Sequence, residues 1–389
     1  MQFDRVFIPM GAYWTSPFCR WQGALSGEHP LSLLAAAGSE VLAQSAHPID
    51  SLEGLHLGTT VPSHKCFWGA PWVAALMGND RMTGPTLSQA CATSARVLAS
   101  GAAAIQTGAA SRLLAAAADR TSNGPLVVYP NPANPGGATQ CENWVLDNFQ
   151  NDPYASLAMV DTAENIARRF GFSREAQDDV TLLRYNQYLD ALASDRAFQR
   201  RYMRPVVVRQ GKAHIEVTQD SGIAETSAEA LARLRPVREG GTVTFGGQTH
   251  PADGHAAIVL ASEPSTNGRV QLLSYGEGRV EKGHMGMAAV PAARAALAHA
   301  GKTIADMKVI KTHNPFVVND LYFAAEMGVG IEGMNNFGSS LIFGHPQGPT
   351  GMRLVIEMIE ELLLSGGGYG LFTGCAAGDT GAAIVLRVE

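Results

Sequence analysis

Charged side chains are scarce in this sequence. They make up 16% of its 389 residues and sum to a formal -6 at pH 7, so no basic face exists to serve a general nucleic-acid binder. Long apolar runs are missing too, which excludes a membrane-spanning helix. The N-terminal MQFDRVFIPMG carries an early acidic residue and lacks a basic-then-apolar secretory signal, so a cytoplasmic protein is expected. Cysteines are few: Cys19, Cys66, Cys91, Cys141 and Cys375, an odd number with no CxxC pair. That argues against a disulfide framework and against structural zinc, and no metal site is expected. Neither G-x-x-x-x-G-K-[ST] nor a strand-borne G-x-G-x-x-G occurs, so the glycine-rich turns are not nucleotide loops.

What the chain has is apolar residues (46%) and glycine (42 residues), enough for one large core or two ordinary ones. Arg5–Pro9 reads as a short strand, Leu31–Ala43 as a helix, and Gly54–Val61 and Arg112–Ala118 as buried strands. This alternation predicts an α/β fold with a largely parallel sheet. From Asp119 to Gly247 the composition changes. Pro125, Pro130, Pro132 and Pro135 with Gly136-Gly137 mark an irregular insertion, followed by helices over Thr162–Phe170 and Ser173–Leu192, the second capped by Ser173. No flexible linker flanks this stretch, which reads as a lobe inserted between two halves. Strands over Ala256–Ala261 and Val270–Ser274 open a second series. It continues through a helix at Val290–Ala300, a strand at Met307–Lys311, an amphipathic helix at Gly351–Leu364, and strands at Leu371–Cys375 and Ala382–Val388. The halves are expected at 1–118, with return strands near 242–264, and at 265–389, around a lobe at 119–247. Each half delivers reactive residues from loops, which suggests an internal duplication.

Four stretches carry chemistry. Cys91, in LSQACATSAR, stands where a loop becomes a helix of about four turns, with Thr93 or Ser94 near its start. A thiol at a helix N-terminus meets the positive end of the dipole and unpaired N–H groups, both of which lower its pKa. Alone, Cys91 is equally a small buried hydrophobe. His313 in THNPF follows a strand, His345 lies between glycine and proline in GHPQGPTGMR, and Cys375 occupies the turn-rich TGCAAGDTG. Taken singly, these read as a core histidine, a turn residue and a buried thiol.

Together they resemble the thiolase family over nearly the whole chain. GHP at His345, the C-terminal cysteine motif at Cys375, HNPF at His313–Phe316 and GGTVTFGGQTHPADGHAA at 240–257 match four ordered family motifs, and Cys91 falls in the nucleophile's place. The resemblance implies a five-layered αβαβα fold of two duplicated halves, with the inserted lobe covering coenzyme A. It implies ping-pong acyl transfer that makes or cleaves a β-ketoacyl-CoA, with coenzyme A and acyl-CoA as substrates and no tightly bound cofactor. Cys91 would form the acyl-enzyme and His345 would help hold it as thiolate. Cys375 would move the α-proton, and His313 would donate to the enolate oxygen. The N–H groups of Cys91 and Ala377 would form a second oxyanion hole, and Thr249, Met285 and Phe316 would contact substrate or CoA.

The departures from the family pattern are specific. Asn314 stands where an acid is usual. Ala377 and Asp379 interrupt the glycine run after Cys375, and the lobe stretch Leu157–Glu164 lacks the family's histidine. These changes point to a non-standard acyl group, bulky, aromatic or carboxylated, for which exposed aromatics among Tyr13-Trp14 and Phe67-Trp68 are candidate pocket walls. Arg200, Arg201, Arg204 and Lys212 are candidates for the CoA phosphates by location, against a plain solvated-surface reading. The resemblance implies a homodimer, and the proline-rich insertion could support a homotetramer. Similarity to aromatic-succinyl-CoA thiolases leaves open a small zinc-ribbon/OB-type partner subunit. Two alternatives stand beside this reading. One is a decarboxylating ketoacyl-synthase-like condenser, which needs no second thiol. The other is a non-catalytic CoA- or lipid-binding subunit.

Overall fold

The structure, a computed structural model, describes residues 1–133, 136–266 and 268–389. The chain opens with β1 (Tyr13–Thr15), β2 (Cys19–Arg20), α1 (Pro30–Ala43), β3 (Gly54–Gly58), α2 (Gly69–Leu76), β4 (Thr86–Leu87), α3 (Thr93–Gln106) and β5 (Arg112–Arg120). An intervening stretch holds β6 (Leu126–Tyr129), β7 (Gln140–Asn143), α4 (Leu146–Gln150), α5 (Met159–Phe170), α6 (Arg174–Arg196), β8 (Val206–Gln210), β9 (Ala213–Val217) and α7 (Ala228–Ala232). Its strands pair only as the hairpins β6–β7 and β8–β9, apart from the two main sheets. Pro135, one of the prolines in the expected irregular insertion, lies outside the described residues. The chain then runs through β10 (Ala252–Ala261), β11 (Val270–Arg279), α8 (Ala289–Ala300), β12 (Met307–His313) and α9 (Val317–Met327). It ends with α10 (Ser340–Phe343), α11 (Thr350–Leu364), β13 (Gly368–Ala376) and β14 (Thr380–Val388).

Two sheets form, in the orders β1-β10-β5-β3-β4, with β2 also on β10, and β11-β14-β13-β12. Helices α1 and α2 cover the outer face of the first, α3 and α11 fill the space between the sheets, and α8 and α9 cover the outer face of the second. This is the five-layered αβαβα arrangement. Alanine and glycine make the layers close: a Cβ on Gly101 of α3 would lie 2.8 Å from Leu260 Cδ1 and 2.9 Å from Leu113 Cδ1.

Three expectations are corrected. The sheets are mixed rather than largely parallel. β3 runs parallel to β4 and β5, and β12 to β13, but β10 and β14 pair antiparallel with every neighbour. The turn between β13 and β14 is far too short for the crossover a parallel pair requires. Arg5–Pro9 is not a strand: Phe7 makes single bridges to Ala261 of β10 and Gln271 of β11, so this segment stitches the two sheets together. Of the aromatic pairs, Tyr13 and Trp14 are core, whereas Phe67 is 92% and Trp68 66% exposed.

The polar residues of α11 are buried as well: Arg353, Glu357, Glu360 and Glu361 all lie inside. Arg353 makes two bonds to Asp220, at 2.7 and 2.8 Å, and one to Glu357 at 2.9 Å, and its guanidinium lies over the Phe343 ring. Tyr202 donates to Glu357, Tyr13 and Arg201 donate to Glu360, and Lys311 pairs with Glu361. Asp220 also accepts from the Phe18 N–H, Tyr188 and Gln199.

Removing one partner of a buried pair strands the other charge. Asp220→Ala should therefore lower the urea unfolding free energy by about 3–5 kcal/mol. Glu281→Ala, which breaks a solvent-exposed pair with Arg169, should leave it unchanged within experimental error.

Candidate active site

Cys91 stands between β4 and α3 on a bent turn. Ala90 has φ +45°, a left-handed conformation that a residue with a Cβ adopts only under constraint. Thr93 supplies that constraint: its hydroxyl donates to the Ala90 carbonyl at 2.7 Å and accepts the Gln89 N–H at 2.8 Å. The Ser94 hydroxyl donates to the Gly348 carbonyl, tying the helix that follows Cys91 to the loop after His345. Neither side chain caps α3, whose Ncap is Ala92.

His345 reaches Cys91 from the opposite half, Nε2 lying 3.2 Å from Sγ. Its Nδ1 is 2.6 Å from the Thr350 hydroxyl in the first turn of α11. Gly344 must be glycine: φ is +92°, and a Cβ would come within 2.4 Å of the His250 ring. Asp119, at the end of β5, holds the surrounding backbone. It accepts the N–H groups of Thr60, Val61 and Gly348 and the hydroxyls of Thr59 and Thr60. Burial pushes its carboxyl up to about 6.

The parallel β12–β13 register sets His313 opposite Gly374, next to Cys375. The His313 ring lies 4.1 Å from that of His345 and is tilted 35° to it. Its Nδ1 is 2.9 Å from the Ser340 hydroxyl, and its Nε2 is buried without a partner. Cys375 Sγ accepts the Asn319 side-chain N–H at 3.3 Å. Asn314, in the place of the expected acid, donates to Asp320 and Ser339 and accepts the Leu341 N–H. It is a buried structural latch and not a proton carrier.

The electrostatics reverse the helix-dipole expectation for Cys91. Burial pushes its thiol up to about 11, against partial compensation from the N–H groups of Ala377 and of Cys91 itself. Burial raises Cys375 further, reinforced by the nearby charge of Cys91. Burial also holds His313 down at about 3 and His345 well below the ordinary imidazole value. Burial thus favours the uncharged form of each of these groups, a state in which the Cys91 S–H can donate to His345 Nε2. Cys91, His313 and His345 each offer a ligand atom within 4.8 Å of the others, the one group of three metal-ligating residue types found among the described residues.

A cavity of about 750 Å³ opens onto Cys91, His345 and Ala377, and Thr249, Met285 and Phe316 also line it. His313 and Cys375, 2% and 1% exposed, sit buried beside this wall. Arg200, Arg201, Arg204 and Lys212 do not line it; Arg200 pairs with Asp195 and Arg201 with Glu360. The cation on the wall is Arg238, held by Asp161 at 2.5 Å. Sequence reasoning also missed Thr350, Ser340, Asn319 and Asp119. Ser340 and Thr350 flank the GHP stretch and Asn319 closely follows HNPF, so proximity to the motifs was the available signal. Asp119 carried none.

The thiolase N-terminal domain family matches residues 11–264, and the thiolase C-terminal domain family matches residues 267–388. The chain belongs to the thiolase family. It is an acyltransferase. Among its relatives, a beta-ketothiolase of Cupriavidus necator is 27% identical over 94% of this chain and 95% of its own length. A beta-ketoadipyl-CoA thiolase of Escherichia coli is 28% identical over 96% and 97%. The acetyl-CoA acetyltransferase structure from Bacillus anthracis superposes with a TM-score of 0.91 at 25% identity, covering both chains fully. The human mitochondrial 3-ketoacyl-CoA thiolase in complex with CoA shares the fold, with a TM-score of 0.89 at 24% identity over 99% and 98% of the two chains. No helix among the described residues of this thiolase is long and apolar enough to cross a membrane.

The buried imidazoles give the thiolase a signed pH dependence. His250 is held at about 4 and His255 at about 3, both by burial, alongside His313 and His345. Below about pH 6.5 the unfolded chain takes up protons that these folded imidazoles refuse, so stability is lost as pH falls from there, by up to about 1.4 kcal/mol per unit for each group. Asp119 and Asp253, raised by burial, act in the opposite sense in the more acid part of this range and offset only part of the loss. Urea unfolding between pH 7.5 and pH 4.5 should show this decline, and His255→Gln should make it shallower. A flat profile would mean that these imidazoles are charged in the folded protein.

Proposed function

We propose that this thiolase makes or thiolytically cleaves a β-ketoacyl-CoA whose acyl group is bulky and uncharged. The observation that carries the acyl-transfer step is the 3.2 Å contact between His345 Nε2 and Cys91 Sγ at the cavity wall. As Sγ attacks the thioester carbonyl, its proton passes to Nε2, and the N–H groups of Cys91 and Ala377 hold the oxyanion. The departing CoA thiolate takes the Cys375 proton, leaving a Cys375 thiolate against a His345 imidazolium. That thiolate then removes the α-proton of a second acyl-CoA, whose enolate oxygen is held by His313. Enolate attack on the Cys91 thioester expels the Cys91 thiolate, which recovers its proton from His345. Every group ends as it began, and the reverse sequence is thiolysis. A decarboxylating condenser would have no use for Cys375, and its presence beside Cys91, with both histidines, counts against that reading and against a non-catalytic subunit.

The preference for an uncharged acyl group rests on the charges of the wall. Besides Arg238, already neutralised by Asp161, the wall carries Glu142 and Asp152. A carboxylated acyl chain, such as the name of the beta-ketoadipyl-CoA relative suggests for that protein, would enter without a free cation to receive it. The apolar side of the cavity, with Trp144, Phe149, Tyr154 and Phe245, suits an aromatic or branched chain. Homo-oligomerisation and coenzyme A as co-substrate belong to the same reading.

Intact mass after brief exposure to acetyl-, propionyl-, benzoyl- and succinyl-CoA tests both parts. An adduct on Cys91, absent in Cys91→Ala, is expected, with Cys375→Ser still acylated but unable to turn over. Benzoyl-CoA should acylate faster than succinyl-CoA, by about tenfold if one unpaired charge is the difference. No adduct from any donor would sink the acyl-transfer reading, and succinyl-CoA as the fastest donor would sink the uncharged-chain reading.

A further inference from the structure

We infer that Ser340 is a positioning residue that holds the His313 imidazole in the tautomer with its proton on Nε2, the ring nitrogen left without a partner among the described residues. The inference deepens the reading of His313 as the enolate's hydrogen-bond donor and rests on it.

The argument is an accounting of hydrogens around one hydroxyl. Ser340 Oγ has three polar neighbours: His313 Nδ1 at 2.9 Å, the Asn314 backbone N–H at 3.2 Å and Asn314 Oδ1 at 3.2 Å. The backbone N–H can only donate, so it occupies a lone pair of Oγ. The single hydroxyl proton must then go to His313 Nδ1 or to Asn314 Oδ1. Asn314 Oδ1 already accepts the Leu341 N–H at 3.1 Å, so the hydroxyl proton would be only its second bond, whereas an Nδ1 without its own proton has no other donor at His313. The amide cannot be turned round, since its nitrogen donates to Asp320 Oδ2 at 2.7 Å and to Ser339 Oγ at 3.0 Å. A flipped oxygen would face the Asp320 carboxylate. Asp320 is itself held by Arg184 at 2.8 Å, both side chains fully buried. The shorter contact and the unmet acceptor coincide at His313 Nδ1. With Nδ1 accepting, a neutral imidazole carries its proton on Nε2, which is buried and has no partner among the described residues. An unpaired N–H held in a dry site is a preorganised donor.

The neighbouring ring is set the other way. His345 Nε2 accepts the Cys91 S–H, so its proton lies on Nδ1 and points to the Thr350 hydroxyl at 2.6 Å. Two neighbouring imidazoles, tilted 35° to each other, thus present a base and a donor to the same small space, each assigned by a hydroxyl behind it. The neutral Asn314 belongs to this arrangement: a carboxylate there would compete for the Ser340 proton and drive the His313 proton onto Nδ1.

The test uses the full-length native protein labelled with 15N at histidine. The His313 resonance is identified by its loss in His313→Gln, and its ring-nitrogen shifts report which nitrogen is protonated. A protonated Nε2 is expected, and a protonated Nδ1 overturns the inference. In Ser340→Ala, solvent deuterium exchange at the α-carbon of acyl-CoA and kcat for condensation should fall about tenfold or more, the scale of a weakened oxyanion donor. KM and the rate of Cys91 acylation should stay near the native values, and Ser340→Thr, which keeps the hydroxyl, should restore exchange. Equal losses of acylation and exchange in Ser340→Ala would mean a packing role and would overturn the inference. A native chain with no Cys91 adduct would overturn the acyl-transfer reading itself. A normal adduct with an Nδ1-protonated His313 would overturn this inference alone.

Discussion

The pair between Arg353 and Asp220 is the contact on which the rest of this molecule leans. Both side chains are fully buried and neither is tolerable alone, so the loop bearing Asp220 and the helix bearing Arg353 must arrive together. Around that pair, α11 collects Tyr13 from the first sheet, Tyr202 and Arg201 from the lobe, and Lys311 from the second sheet. The helix that receives all these ties begins at Thr350, the residue behind the His345 imidazole. A buried ionic network in the middle layer and the orientation of the His345 ring are therefore one geometric problem, solved once.

Burial also decides the charge state of the site. The resting centre has two thiols and two imidazoles and no net charge, because desolvation favours the uncharged form of each. In the proposed cycle, charge appears only as a pair, an imidazolium at His345 with a thiolate at Cys375. Asp119 contributes through its hydrogen bonds: five donors converge on it and fix the loops on either side of Cys91 and His345.

Much of this was legible in the sequence. The order of strands and helices, the Ser173 cap, and the stretches around Cys91, His313, His345 and Cys375 were readable because each depends on neighbours within a few residues. What was not readable depends on distance along the chain. The pKa of Cys91 was expected low from the helix beside it and is high because other segments exclude water from it. The partner of Arg238 lies seventy-seven positions away and that of Arg353 lies 133 away. Strand direction was misjudged where a late return strand and a tight hairpin replaced crossovers. Ser340 carried no signal of its own; only folding sets it against His313.

The position of β14 has a consequence for how the protein comes into being. β14 follows Cys375 in the chain, yet it is an interior strand, hydrogen-bonded to β11 on one side and β13 on the other. In the first sheet β10 is likewise interior, and it is made only after the whole intervening lobe. Each sheet thus waits for a middle strand that the ribosome delivers late. A nascent chain that already contains Cys91, His313 and His345 still has β11 and β12 in separate pieces, with unpaired edges exposed. Each sheet is gapped in its turn during synthesis, the first until β10 is made and the second until β14, and each closes from the inside, so the chain's unpaired edges are exposed to aggregation in the interval before each middle strand emerges.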